Sequence, residues 1–186
     1  MTDLDPMAVA LRLAGALDRA RVTYAIGGAL AYGLWGDPRG TRDVDLNLFV
    51  EEQELGSALE VLVDAGVSID RSAALEEASA GGVLIGDYDG MRIDLFAPSI
   101  PFSWEAARTR VRLTVRNQPA WYLSAEATTV FKLLFFRSKD LVDIEKLVVV
   151  QGDALDRSYV RRWMVEMMGE EDERVEAWDA IIAQYG

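Results

Sequence analysis

The sequence predicts an α+β fold in two parts: a mixed β-sheet with flanking helices over residues 1–120, then a helical lobe over 121–186. Three observations carry this expectation. Two-residue alternation of apolar and polar side chains is confined to the first part, at 43–50, 91–96 and 108–115. Between these stretches the apolar residues recur at helical spacing. From Ser124 onward only the helical period remains.

The elements follow in order. Residues 7–20 place Ala10, Leu11, Leu13, Ala14 and Leu17 on one helical face. A short buried strand at 22–26 leads through Gly27-Gly28 into a second apolar helix, 29–35. Gly36-Asp37-Pro38-Arg39-Gly40 has the composition of a loop. In the strand 43–50, Asp43, Asp45 and Asn47 share one face, and Val44, Leu46 and Leu48 the other. A helix over 51–65 carries acids in its first turn, where they suit the helix dipole. Strands at 83–85 and 91–96 are joined through Asp89-Gly90, a hairpin turn pair, and Arg92, Asp94 and Phe96 share a face of the second. Residues 108–115 alternate as one more strand. Helices are then expected from Ser124, a capping residue, to 137, and over 140–150, 155–168 and 171–184. The change near residue 120 is a shift in composition without a linker, so the two parts are expected to pack together.

Composition narrows the chemistry. The chain has 186 residues, 51% of them hydrophobic, enough for a real core. It contains no cysteine and no histidine, which removes disulfides, histidine bases, Ser-His and Cys-His triads and histidine zinc sites together. The acidic start lacks the features of a secretory signal, and no apolar run approaches the roughly 18 residues that span a membrane. The expectation is a cytoplasmic protein with no membrane partner. A net charge of −12 argues against a general nucleic-acid binder, which needs a basic face.

Acid-x-acid pairs are common in a chain with 31 acidic residues; Asp3-Leu4-Asp5 and Asp87-Tyr88-Asp89 are two. Asp43 and Asp45 differ in their setting. They lie side by side on a largely buried strand, where mutual repulsion and desolvation both oppose ionisation. A divalent cation relieves both costs, and magnesium accepts one or two carboxylates together with substrate phosphates. Gly27-Gly28, between a strand and a helix, lets backbone N–H groups approach a phosphate at the positive helix end, although a tight turn alone would also explain it.

Gly27-Gly28 followed by Arg39-Gly40-Thr41-Arg42-Asp43-Val44-Asp45-Leu46 resembles the signature of the DNA polymerase β-type nucleotidyltransferase superfamily, most closely its AbiEii-like and related minimal members. Asp94, in Met91-Arg92-Ile93-Asp94-Leu95-Phe96, fits the third carboxylate of that group. Phe131-Lys132 and Arg137-Ser138-Lys139-Asp140-Leu141-Val142-Asp143-Ile144 are similar to a downstream stretch of the same group. The resemblance covers residues 22–150. It implies a nucleotidyltransferase-like sheet and transfer of a nucleoside monophosphate from a nucleoside triphosphate, such as ATP, to an acceptor hydroxyl. It implies two magnesium ions on Asp43, Asp45 and Asp94, the catalytic carboxylates, and a triphosphate held by Gly27, Gly28, Arg39, Thr41 and Lys132. The acceptor is either an RNA end, as for toxins that work with a cognate antitoxin, or a small-molecule hydroxyl, as on aminoglycoside or lincosamide antibiotics. A non-catalytic nucleotide-binding module of the same fold is the other reading.

Several features stay open at this level. Lys132 is either a triphosphate ligand or an exposed helix lysine. Arg137, Lys139, Asp140 and Asp143 are spaced to form surface ion pairs of ~0.2–0.5 kcal/mol each. Trp121-Tyr122 reads as an anchor between the two parts. Arg108, Arg110, Arg112 and Arg116 share one parity, so a continuous strand would present a basic stripe, either guarding a sheet edge or docking an acidic acceptor.

Overall fold

The computed structural model describes residues 4–70, 72, 73, 77, 81 and 83–186. Helix α1 (Pro6–Arg19) starts where Asp5 accepts a hydrogen bond from the Met7 N–H at 3.0 Å, with Pro6 at the first helical position, where no N–H is required. Strand β1 (Tyr24–Ile26) leads into α2 (Gly28–Trp35), and a loop then returns the chain to β2 (Asp43–Leu48). Helix α3 (Glu52–Asp64) opens with a capping box between Glu51 and Glu54. Strands β3 (Leu84–Tyr88) and β4 (Met91–Phe96) form the expected hairpin. Asp89 and Gly90 both have positive φ, 51° and 88°, as its turn demands.

The strands form one mixed sheet in the order β3-β4-β2-β1-β6-β5, where β5 is Val111–Val115 and β6 is Gln118–Tyr122. Strand β2 runs parallel to β4 and antiparallel to β1, and β1 runs parallel to β6. The alternation of β2 then decides what each face holds. Val44, Leu46 and Leu48, with Ile93 and Leu95 of β4, are buried under α1 and α3 beside Leu13, Leu17 and Leu59. Burying each of those leucines contributes about 1.5–3 kcal/mol. Asp43, Asp45 and Asp94 must therefore leave from the opposite face.

That opposite face meets the second hydrophobic core, built from α2, α4 (Pro101–Thr109), α5 (Ala125–Phe135), α6 (Ser138–Gln151), α7 (Arg157–Met168) and α8 (Glu173–Tyr185). Tyr32, Phe102, Leu133, Ile144 and Trp178 are at most 1% exposed within it. Tyr32 and Phe102 precede residue 120 and the others follow it, so this core joins the first part of the chain to the second. The position expected to divide them falls inside β6. Among the described residues, no helix is long and apolar enough to cross a membrane.

One region differs from the sequence reading. Residues 108–115 do not form a single strand. Pro101 starts α4, which extends through Thr109, and the strand begins only at Val111. Residue parity has no meaning across a helix-to-strand junction, so the arginine stripe is broken. Arg108 pairs with Glu105 in its own helix, Arg116 pairs with Asp5, and Arg110 and Arg112 lie over the Trp121 ring at 4.4 and 5.7 Å. Arg116 and Asn117, both with positive φ, make the turn into β6, a strand that Pro119 conceals from propensity.

Candidate active site

Strands β2 and β4 bring the acids together by register. Asp45 stands directly opposite Asp94, and Asp43 opposite Arg92. In a parallel pair such residues point the same way, so Asp43, Asp45 and Asp94 share one face and line one cavity of about 690 Å³. Burial, together with the carboxylates of Asp43 and Asp94, pushes the Asp45 carboxyl up to about 6. Asp45 is thus short of compensating positive charge, and the donors of the three strand acids are the hard oxygens that magnesium takes. Among the described residues no three acids yet close around one point as metal ligands. Asp43 accepts a hydrogen bond from the Thr41 hydroxyl, and Asp94 is held by Arg92 at 2.6 Å.

Gly27 and Gly28 are fixed by this arrangement. The Gly27 N–H donates to the Asp45 carbonyl at 2.9 Å. A Cβ at Gly28 would stand 1.8 Å from Asp45 Oδ2, and its φ of +53° favours glycine independently. A Cβ at Gly27 would meet Asn47 Nδ2 at 2.6 Å. Only glycine lets the start of α2 lie against the acid-bearing strand, which places the positive end of the helix beside the cavity.

Arg39, Arg42, Arg92, Lys132, Arg137 and Lys139 line the cavity, against the carboxylates of Asp43, Asp45, Asp94 and Asp140. Lys132 is not an exposed helix lysine. It is 6% exposed, donates to Asp143 at 2.6 Å and Asp140 at 3.4 Å, and lies 4.9 Å from the Tyr32 ring centre. Arg39 reaches the same Asp143 from the loop before β2, at 3.2 Å, and Arg137 holds Asp140 at 2.6 Å. Asp140 and Asp143, legible in the sequence as surface ion pairs, are buried and anchor three of the cavity's cations. Arg42 and Lys139 have no ion-pair partner among the described residues.

The predicted site residues thus lie on one cavity, with the exception of Gly27, which sits just behind Gly28. The sequence reading gave no role at the site to Arg42, Arg92 or an aromatic wall made by Phe96, Phe131 and Phe135. Phe96 and Phe135 meet edge to face at 6.0 Å. Phe96 was detectable, because it shares the face of Asp94 on its strand. Phe135 was not, since its helix position says nothing about where the helix docks.

No family model matches the sequence, and no curated protein matches it. Solved structures do match. ANT(2'')-Ia in complex with adenylyl-2''-tobramycin superposes with a TM-score of 0.57 at 15% identity, over 97% of this chain and 99% of that one. The solution structure of the antibiotic-resistance factor ANT(2'')-Ia gives 0.53 at 16% identity, over 97% and 94%. A candidate nucleotidyltransferase from Thermotoga maritima gives 0.54 at 14% identity, over 86% and 92%. The strand order, the register that pairs Asp45 with Asp94 and this superposition together give the chain the nucleotidyltransferase fold.

Proposed function

We propose that this chain is a magnesium-dependent nucleotidyltransferase that moves a nucleoside monophosphate from a nucleoside triphosphate to an acceptor hydroxyl. The observation that carries the proposal is the alignment of Asp45 with Asp94 on neighbouring parallel strands, with Asp43 two residues away, facing a cation-lined cavity. In this reading Asp43, Asp45 and Asp94 hold two metal ions. When bound, magnesium neutralises charge on the triphosphate and on the attacking and leaving oxygens. The backbone at Gly27 and Gly28 approaches the phosphates, and Thr41 fixes the orientation of Asp43. Arg39 and Lys132, braced by Asp143, offset the charge of the leaving pyrophosphate. The acceptor oxygen attacks the α-phosphorus, the bond from that phosphorus to the β-bridging oxygen breaks, and the acceptor proton passes to Asp94 or to solvent. The helices that follow β6, from Ala125 to Tyr185, close the cavity over the sheet that carries the acids. A triphosphate substrate places the work in the cytoplasm.

Two acceptor classes fit the reaction. The neighbour solved with adenylyl-2''-tobramycin suggests an aminoglycoside-type acceptor. One observation favours an RNA end instead. Among the described residues, each carboxylate lining the cavity is either one of the three strand acids or the buried, ion-paired Asp140. A polycation would find no free acid there. The RNA reading includes an AbiEii-like toxin with a cognate antitoxin. Incubation with each labelled nucleoside triphosphate, magnesium, and either total RNA or an antibiotic panel tests both acceptors. Transfer that disappears in Asp45→Asn supports the enzyme; triphosphate binding with no transfer to any acceptor leaves a nucleotide-binding module.

A further inference from the structure

Arg92 is a cation of the site to which the transfer reaction assigns no task. It precedes Asp94 by two residues on β4, so both side chains leave the same face of the sheet. Its Nε donates to Asp94 Oδ1 at 2.6 Å, and its backbone lies in register with Asp43. Its side chain is 55% exposed, whereas that of Asp94 is 14% exposed. The guanidinium therefore reaches into the acids from the open side of the cavity. Asp94, Asp43 and Asp45 each favour its charge, Asp94 the most. The other two cations that act on Asp45, Arg137 and Lys132, are tied to Asp140 and Asp143.

We infer that Arg92 is a built-in counter-ion of the acid trio. It competes with a divalent cation for Asp94 and gives way when that cation arrives with the triphosphate. The inference rests on the nucleotidyltransferase reading and adds a coupling to it. A metal ion alone must displace the guanidinium and then tolerate a like charge beside it. A metal ion carried by a triphosphate replaces Arg92 at Asp94 and at the same time offers the freed guanidinium an anionic partner. An exposed ion pair is weak enough to exchange in this way. Metal and nucleotide then favour each other's binding, and by linkage the effect is reciprocal. Arg92 is in this sense a positioning residue, acting on the occupancy of the site.

Manganese alone, titrated without nucleotide and followed by electron paramagnetic resonance, tests the inference. Arg92→Gln and Arg92→Ala should bind manganese about 3- to 5-fold more tightly than the unaltered chain at low ionic strength, the range that loss of an exposed ion pair allows. Arg92→Lys should stay near the original affinity, and the differences should shrink at ~0.5 M salt. Far-ultraviolet circular dichroism verifies that each variant is folded. Equal or weaker manganese binding by both neutral variants would overturn the inference and make Arg92 an aid to metal binding. Absence of manganese binding by the unaltered chain and by both neutral variants, with a nucleoside triphosphate present as well as without it, would instead overturn the metal-dependent reading itself.

Discussion

Replacing Asp45 by asparagine is expected to stabilise the metal-free protein, even though it removes a central group of the proposed site. The side chain keeps its shape, so packing beside Gly28 is unchanged; only the charge is lost. Burial and the neighbouring acids raise this carboxyl from 3.8 to about 6. A group whose pKa is raised on folding holds more protons folded than unfolded between those values. Stability is therefore lost as pH climbs from about 4 to 6, and the full cost is present above that window. At 1.36 kcal/mol per pH unit of displacement, the cost is about 2–3 kcal/mol at neutral pH. For a chain of this length that corresponds to a rise in Tm of roughly 5–10 °C for Asp45→Asn at pH 7.5. Near pH 4 the two proteins should melt together. Magnesium should raise the Tm of the original protein and leave the variant nearly unmoved, since a ligand stabilises only a fold that binds it. Calorimetric scans at both pH values, with and without magnesium, provide the measurement. A variant that melts lower at pH 7.5, or that gains as much at pH 4, would refute the account of crowded, desolvated carboxylates.

Other variants separate the parts of the site. Gly28→Ala places a methyl group on Asp45 Oδ2 at a left-handed backbone position. The conformational strain alone costs about 1–2 kcal/mol, and label transfer should fall to background while urea unfolding stays cooperative. Lys132→Met leaves Asp140 and Asp143 with only their arginine partners. A loss of about 3–5 kcal/mol in urea unfolding is expected, with part of it recovered in Lys132→Met combined with Asp143→Leu. Charge reversal at Arg110 and Arg112 removes two guanidinium contacts with Trp121. It should cost about 1–2 kcal/mol of stability and leave label transfer unchanged, because neither residue lines the cavity.

The sheet was legible because its signals are local. The period-two alternation of 43–48 and 91–96 names the buried face of each strand, and Asp89-Gly90 names a hairpin turn. The neighbouring positions of β2 and β4 were not legible, since strand order is set by chain topology and by α1 and α3 covering one face. The same limit explains the arginine stripe: parity was projected through Thr109, where a helix ends. Propensity also passed over β6, which contains Pro119 and is recruited to the sheet by Ile26 opposite Tyr122 and by the hairpin with β5.

The buried charges show why a motif can be read correctly and its physics misjudged. Asp140 and Asp143 lie on α6 at spacings that suit helix-surface pairs, and a helix sequence alone gives no reason to bury them. Their burial follows from two distant facts. Lys132 enters from α5 beneath Tyr32, and Arg39 enters from the loop before β2, so α5 and that loop both meet α6 at its two carboxylates. A network of that kind is costly to desolvate and ruinous to leave half-paired, so it fixes relative position more than it adds stability. Here it sets the cations of the helical segment against the acids of the sheet. The cavity is consequently a property of neither part alone. Strands β2 and β4 supply an excess of negative charge that only an opposing wall or a bound cation can relieve. The residues after 121 supply a wall on which Asp140 and Asp143 hold Lys132 and Arg137 in place, while Lys139, with Arg42 and Arg92, joins Arg39 and Lys132 in meeting an incoming anion.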